Sequence, residues 1–368
     1  MRVALVSTGL GRVLRGFESF TASLFRGFRK YAPLVDVTLF QGGGRSGERR
    51  VVVPNFHRYD APARWFGYEK GNLLEKRSFA LALYPLLRWG HYDIVHYNEL
   101  VMGSALYHLR RILGGKYKLL YCAGSTWSPA HYQPRSDFAQ LLTEPAYDEA
   151  RKFGMSVDRL FLIPYGLNPD QFSEGSLIQR REIRLELGIP QEAKVILTVA
   201  IIDRQTKRID YLIRELSALE RPVWLLAAGQ RTNESDSLER EASLLLKGRC
   251  RFVSWPREKI PFLYGAADFF VLTSLVEAFG LVTIEAMLSG LPVIIHNGPV
   301  FKWISEGTSA ILTDMSVKGN LRDVLERVLS LKEFPSSRAV AAGRFAWEVL
   351  VPQYIRMYQQ VEEGQRVC

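Results

Sequence analysis

The chain has 368 residues, more than one small domain needs, and its length favours two domains. Hydrophobic residues make up 47% of it, enough for a sizeable core, so a largely disordered chain is excluded. The formal net charge of +10 falls entirely in the first half: residues 1–165 hold 23 Lys+Arg against 13 Asp+Glu, and residues 166–368 hold 25 against 25. Cys122, Cys250 and Cys368 are too few and too scattered for a disulfide framework or a metal knuckle, and a reducing compartment suits them. No uninterrupted apolar window reaches the roughly 18 residues of a membrane span, and the opening MRVALVSTGLG reads as a buried strand rather than a signal peptide.

In chain order, VALVS is followed by the glycine-containing GLGRVLRG and then by ESFTASLFRGFRKYA at helical spacing. With VDVTLFQ at 35–41 these predict a βαβ unit. DIVHYN at 93–98 and KLLYCAG at 118–124 predict strands on either side of a helix in MGSALYHLRRIL, and RLFLIPYG ends the first half near Gly166. Residues 167–193 are charged and poor in large apolar clusters, which predicts an interdomain segment. A second series of strands follows: AKVILTVAII, PVWLLAAG, CRFVSW, ADFFVLTS and LPVIIHN. The pattern predicts two Rossmann-like open α/β domains, 1–166 and 194–350, facing across a cleft, with an amphipathic C-terminal helix in 351–368 that either finishes the second domain or crosses back over the first. Ligands of such sheets bind beyond the carboxyl ends of the strands.

Two groups of residues stand where chemistry is expected. Gly9, Gly11 and Gly16 lie at a strand-to-helix turn, where glycines let backbone amides approach a phosphate. Their spacing departs from G-x-G-x-x-G, and a turn kept for tight chain geometry explains it as well. The second group is SLVEAFGLVTIEAMLSGLPVI, 274–294, with Glu277 in a loop after a strand and Glu285 eight positions on, inside an apolar helical stretch. By themselves the two glutamates also read as a loop carboxylate and a helix-dipole partner. Carboxylates placed so can accept hydroxyls of a sugar and a ribose, while the amides of Phe279, Gly280 and Leu281 face a phosphate.

EAFGLVTIEAMLSGLPVI resembles the E-x7-E segment of retaining GT-B glycosyltransferases, in particular the family-four (glycosyl transferases group 1) type. IPYGLNPDQF at 163–172 resembles the interdomain Pro-x-Gly segment of that family, and KRIDYLIREL at 207–216 its Lys-Gly-x-Asp turn. The resemblance covers most of the chain. It implies a GT-B fold and an enzyme that moves a hexose from a nucleotide-diphosphate sugar to a hydroxyl of a glycan, lipid-linked or small-molecule acceptor. It also implies retention by a metal-independent front-face mechanism, with the nucleotide-sugar as co-substrate and no cofactor.

Residue by residue, the resemblance puts Glu277 at the transferring sugar and Glu285 at the ribose. Lys207 meets the diphosphate, Ala278, Phe279, Gly280 and Leu281 lie under it, and Gly11 approaches it from the first domain. The arginine common five positions before the lysine is here Ile202; Arg204 is expected to serve from its shifted place. Arg208 replaces the family's glycine. The family's acceptor-site histidine is unmatched at Ala123 and Gly124. His96, in DIVHYNE, resembles the family's Asp-(Ile/Val)-(Ile/Val)-His segment and is expected at the catalytic site, alongside the alternative of a buried core histidine. Glu99, Ser125, Thr126, Trp127 and His131 are expected to bind the acceptor, and Asn297 to contact the donor; no metal ligands are expected.

The competing readings are a phosphorylase-like or hydrolytic enzyme of the same fold, and a non-catalytic sugar- or nucleic-acid-binding module. Nucleic acid is not expected as a partner, because the basic excess forms no recognisable motif. Residues 55–93 and the first helix instead interleave Arg and Lys with Trp, Phe and Tyr, which suits an anionic membrane surface. The expected location is cytoplasmic, peripheral on the inner face of the membrane, in cell envelope glycan synthesis.

Overall fold

Val3, Ala4, Leu5 and Val6 are apolar without alternation, as in a strand covered on both faces, and they lie within β1 (Arg2–Ser7) of a parallel sheet. The computed structural model describes residues 1–13, 16–61, 63–124, 135–172, 175–331 and 333–364. After β1 come α1 (Gly16–Tyr31), β2 (Asp36–Gln41), β3 (Arg50–Val52), α2 (Gly67–Trp89), β4 (Ile94–Tyr97), α3 (Leu100–Leu113), β5 (Lys118–Ala123), β6 (Phe138–Leu141), α4 (Glu144–Lys152) and β7 (Leu160–Leu162). The strands form one seven-stranded parallel sheet in the order β3-β2-β1-β4-β5-β6-β7. The order reverses between β1 and β4.

The second unit opens with α5 (Leu177–Glu186) and continues through β8 (Val195–Val199), α6 (Ile209–Ser217), β9 (Trp224–Ala228), α7 (Ser235–Leu245), β10 (Cys250–Val253), α8 (Ile260–Ala266), β11 (Phe269–Leu272), α9 (Leu281–Leu288), β12 (Val293–His296), α10 (Pro299–Ile304), β13 (Ile311–Thr313), α11 (Asn320–Val328) and α12 (Arg338–Phe345). Its six-stranded parallel sheet runs β10-β9-β8-β11-β12-β13 and reverses between β8 and β11. Ile196, Leu212, Leu225 and Val271 are among the fully buried residues of the core on one side of it. The last helix, α13 (Trp347–Glu363), belongs to the first unit, which comprises Met1–Leu167 and Trp347–Cys368; the second comprises Asn168–Ala346.

The charged stretch after residue 167 is built into the second unit. Arg184, 1% exposed, donates to Asp268 Oδ2 at 2.8 Å, and Arg180 donates to Asp268 Oδ1 at 2.9 Å. Asp268 also accepts the amide of Val195 at 2.8 Å, so its carboxylate ties α5 to the start of β8. The arginines of a stretch that reads as a solvated linker therefore anchor a helix to a sheet. β3, β6 and β13, each three or four residues long, are not among the strands expected from the sequence. In β6 the apolar run is also broken by Gln140, which is fully buried and donates to Ile163 O and Tyr354 Oη at 2.7 Å each.

Counted by unit, the first carries 25 Lys+Arg against 16 Asp+Glu and the second 23 against 22, so the basic excess still belongs to the first. No helix among the described residues is long and apolar enough to cross a membrane.

Trp347 fixes α13 to the first unit. It is 2% exposed, its Nε1 donates to Ser23 Oγ at 2.8 Å, and its amide donates to Leu167 O at 3.0 Å. The ring fills space beside Gly27 and Gly166, where a Cβ would approach it to 3.0 and 2.4 Å. Trp347→Ala should therefore cost about 3–5 kcal/mol and lower the urea midpoint of the first unit. Val349→Ala, on the exposed side of the same helix, should change stability by less than about 0.5 kcal/mol. Equal midpoints for the two variants would show that the indole does not anchor the helix.

Candidate functional site

The strand-order reversal of the second sheet sets the carboxyl ends of β8 and β11 side by side. From β8 the chain enters residues 200–208, where the Asp203 side chain holds the loop: its Oδ1 accepts the amides of Thr206 at 2.9 Å and Lys207 at 2.7 Å. From β11 it enters residues 273–280. Thr273 Oγ1 donates to Lys207 O at 2.6 Å and lies 3.2 Å from Arg208 O, which joins the two loops. Across this junction Lys207 Nζ pairs with Glu277 Oε1, and both side chains are mostly covered. The loop ends at Gly280, whose φ of +76° suits the residue that starts α9. The first turn of a helix leaves backbone N–H groups without intrahelical partners, so α9 offers donors next to this ion pair. Ser274 Oγ and Thr283 Oγ1, on either side of Glu277 in sequence, are buried without a hydrogen-bond partner, and a polar ligand would satisfy such groups.

Glu285 lies one turn further along α9 and is fully buried. Its Oε2 accepts from Arg257 Nη1 at 3.0 Å and from Tyr264 Oη at 2.9 Å, and its Oε1 accepts from Arg257 Nη2. The adjacent Glu285 pushes the Arg257 pKa upward, and burial raises that of Tyr264. Arg257 and Tyr264 carry no signal in the sequence. They lie 28 and 21 positions from Glu285, outside any helical or strand period, so only the fold brings them together.

Arg204 is turned to α7. Its guanidinium pairs with Glu241 at 2.7 Å and reaches Ser237 Oγ at 3.3 Å, and its amide donates to Glu234 at 2.9 Å. Ala278 is partly buried, Phe279 is 3% exposed, and Asn297 is exposed, with its amide on Thr313 O at 3.0 Å. Arg208 has φ +53°, the left-handed backbone that explains the glycine the family prefers there. Among the described residues no group of His, Cys, Asp and Glu is placed to hold a metal ion.

In the first unit, Glu99 follows β4 and receives the amide of Thr8 at 2.8 Å as well as the Thr8 hydroxyl, bridging the reversal between β1 and β4. Gly11 has φ +88°, and a Cβ on it would fall 2.3 Å from the backbone of Gly43, so close chain packing alone requires glycine. Ser125, Thr126, Trp127 and His131 lie outside the described residues.

His96 is 3% exposed, and its Nδ1 lies 2.8 Å from Tyr358 Oη on α13. Burial keeps the Tyr358 hydroxyl protonated and the imidazole neutral, and either group donates in this contact according to the imidazole tautomer. Burial lowers the His96 pKa to about 3, against a raising hydrogen bond from Gln140. The unfolded chain, with an ordinary histidine, thus binds the proton more readily than the folded one. Stability from this residue is complete above about pH 6.5 and is lost as pH falls toward 3, at about 1.4 kcal/mol per pH unit. Chemical denaturation between pH 7 and 4 should show this loss in the native protein and a flatter profile in His96→Gln. Identical slopes would mean that His96 titrates normally in the fold.

Residues 179–342 match the family model described as Glycosyl transferases group 1. The chain is 32% identical over 182 residues to the mannosylfructose-phosphate synthase of Agrobacterium fabrum, covering 46% of this chain and 39% of that protein. It is 27% identical over 306 residues to the D-inositol 3-phosphate glycosyltransferase of Mycolicibacterium smegmatis, covering 75% and 69%. The aligned part of the chain thus spans well under two thirds of the first relative's length. The crystal structure of Anabaena HepE in complex with UDP and glucose matches with a TM-score of 0.76 at 18% identity, over 98% of this chain and 99% of that one, which establishes the shared fold. The match to the group 1 glycosyl transferases thus lies in residues 179–342, within the second unit, and the chain as a whole has the GT-B fold.

Proposed function

We propose that the protein is a retaining glycosyltransferase that moves a hexose from a nucleotide-diphosphate sugar, bound by the second unit, to a hydroxyl of an acceptor bound by the first. The observation that carries this reading is the Lys207–Glu277 pair beside the start of α9, at the strand-order reversal of the second sheet. The ammonium of Lys207 and the amides of α9 supply positive charge where a diphosphate gains negative charge as it departs. Glu277 accepts hydroxyls of the hexose, and Glu285 serves the ribose side.

In the front-face step, the bond from the anomeric carbon to the diphosphate oxygen breaks while the acceptor oxygen forms its bond on the same face. The acceptor proton passes to the departing phosphate oxygen, so no protein base is required. A neutral, buried His96 is compatible with that route: it supports the first unit through Tyr358. Glu99 and the segment holding Ser125, Thr126, Trp127 and His131 serve the acceptor. The HepE complex contains UDP and glucose, so UDP-glucose is the first donor to test.

Release of nucleoside diphosphate from a donor and acceptor panel, with the anomeric configuration of the product read by NMR, tests the reading. Glu277→Gln should lower kcat by about 100-fold or more in a folded protein. Lys207→Ala should reduce donor affinity more than Arg204→Ala, because Lys207 lies beside Glu277 and the start of α9 whereas Arg204 is turned to α7. Wild-type turnover in Glu277→Gln, or sugar release that needs inorganic phosphate in place of a nucleotide-sugar, would reject the assignment.

The same reading places the protein on an anionic membrane surface through its basic unit. Trp65 and Trp89 are each 74% exposed, Leu81 is 60% exposed, and Arg77 lies four residues before Leu81 on the exposed side of α2. Aromatic side chains and cations so exposed suit the interface and head groups of an anionic bilayer. Flotation with phosphatidylglycerol-containing vesicles should recover the protein at low salt, less at high salt, and less again for Trp65→Ala/Trp89→Ala. Failure to float at low salt would remove the membrane from the proposal.

A further inference from the structure

His296 is the last residue of β12, and its side chain is mostly covered, 15% exposed. Continuing the register that pairs Leu272 with Ile295 sets it beside Thr273, the residue that joins the two loops of the site. Its Nδ1 accepts the amide of Met315 at 3.2 Å. A backbone N–H can only donate, so Nδ1 carries no hydrogen and the imidazole is neutral, with its proton on Nε2. Met315 is fully buried, and its amide would have no water to turn to if this acceptor were lost.

The other end of Met315 holds the turn that presents Lys207. Met315 O accepts from Arg208 Nη1 at 2.6 Å, and Arg208, next to Lys207, has the left-handed φ of +53°. The imidazole, Met315 and Arg208 thus form one chain of hydrogen bonds from the end of β12 to the loop after β8. Two groups face Nδ1 besides that amide. Asp314 Oδ1 lies 3.8 Å away and accepts the amide of Ser316, and Phe301, from α10, packs edge-on with its ring centroid at 6.2 Å and carries no charge. Arg208 is the cation on the far side of Met315. Protonation turns Nδ1 from acceptor to donor, so it opposes the Met315 N–H and is drawn to Asp314 instead.

Resting on the donor reading above, we propose that His296 is a positioning residue for donor binding: in its neutral form it holds Met315 and, through Arg208, the turn that presents Lys207, so protonation of the imidazole weakens the hold on a nucleotide-diphosphate sugar. The ring needs no contact with the donor. Its effect passes through a main-chain segment that binds the imidazole with its N–H and the arginine with its C=O.

The test measures binding of UDP-glucose, GDP-mannose and ADP-glucose by calorimetry at pH 7.5 and 5.5, a span across which histidines titrate. The diphosphate of such a donor is a diester and keeps its charge over this range. The full chain is compared with His296→Asn, His296→Leu, Arg208→Gly and the Arg208→Gly/His296→Leu double variant, with urea midpoints at both pH values to verify folding. For the donor that the native protein binds best, Kd should rise about fivefold on going to pH 5.5. His296→Leu, with no acceptor for the Met315 amide, should show that loss already at pH 7.5. His296→Asn, whose Oδ1 stands in for Nδ1 and does not titrate, should recover most of it and respond to pH by less than about twofold. Arg208→Gly keeps the backbone and removes the tether, so adding His296→Leu to it should weaken binding little further. An equal pH response in the native protein and His296→Asn, native affinity in His296→Leu at pH 7.5, or additive losses in the double variant would overturn the assignment. If the native protein binds none of the three nucleotide-sugars at either pH, the donor reading itself fails and takes this one with it; that outcome is visible without any variant.

Discussion

One hydroxyl holds together the two loops on which the candidate site depends. Thr273, at the end of β11, donates to the carbonyl of Lys207, at the end of the loop that follows β8. In a parallel sheet each strand delivers its loop to the same edge, and only where the strand order reverses do two neighbouring loops diverge and leave room between them. β8 and β11 are that pair, and the Thr273 bond is fully buried on the threonine side. The Lys207 ammonium and the Glu277 carboxylate, 70 residues apart in sequence, meet because this junction fixes both backbones.

Each cation of the second unit's site has a carboxylate partner: Lys207 has Glu277, Arg204 has Glu241, and Arg257 has Glu285. The three pairs differ in burial, and so in what they mean energetically. Arg204 and Glu241 are both partly exposed, where an ion pair is worth little and a competing anion can draw the arginine away. Glu285 has no exposure, and removing its partner would strand a buried charge. Arg204 is therefore the cation freer to change partners, and Arg257 the one held to its own.

How much of this was legible in the sequence follows from where the partners of each group lie. Glu277, Gly280 and Glu285 are read together because they occupy one strand-loop-helix segment, in which local spacing already sets the geometry. The doubly wound sheets were likewise legible, since strands covered on both faces are continuous apolar runs, and β1, β5, β8 and β11 are such runs. Arg257, Tyr264 and Glu241 gave no signal, because a single charge or hydroxyl in an ordinary helix or turn has no pattern until tertiary structure supplies its partner. His96 was legible as a strand-end histidine, but its burial depends on α13, more than 250 residues away. Asp268 and its two arginines were hidden for the opposite reason: a stretch rich in charge reads as solvated, yet those charges satisfy one another and the backbone inside the second unit.

Arg208 shows how the chain departs from its family without losing the turn. A left-handed backbone costs a non-glycine residue about 1–2 kcal/mol relative to glycine, and a simple replacement would loosen the loop that presents Lys207. The Arg208 side chain offsets this: Nη1 donates to Met315 O at 2.6 Å, and the guanidinium lies 4.5 Å from the centroid of Tyr211. Met315 follows β13, the far edge strand, so the side chain ties the Lys207 loop to an element that a glycine could not reach. The Tyr211 hydroxyl donates to Val317 O at 3.0 Å and reinforces the same connection. The side chain thus tethers the Lys207 loop to the segment after β13 and restricts the backbone next to Lys207, which a glycine at this position would leave free.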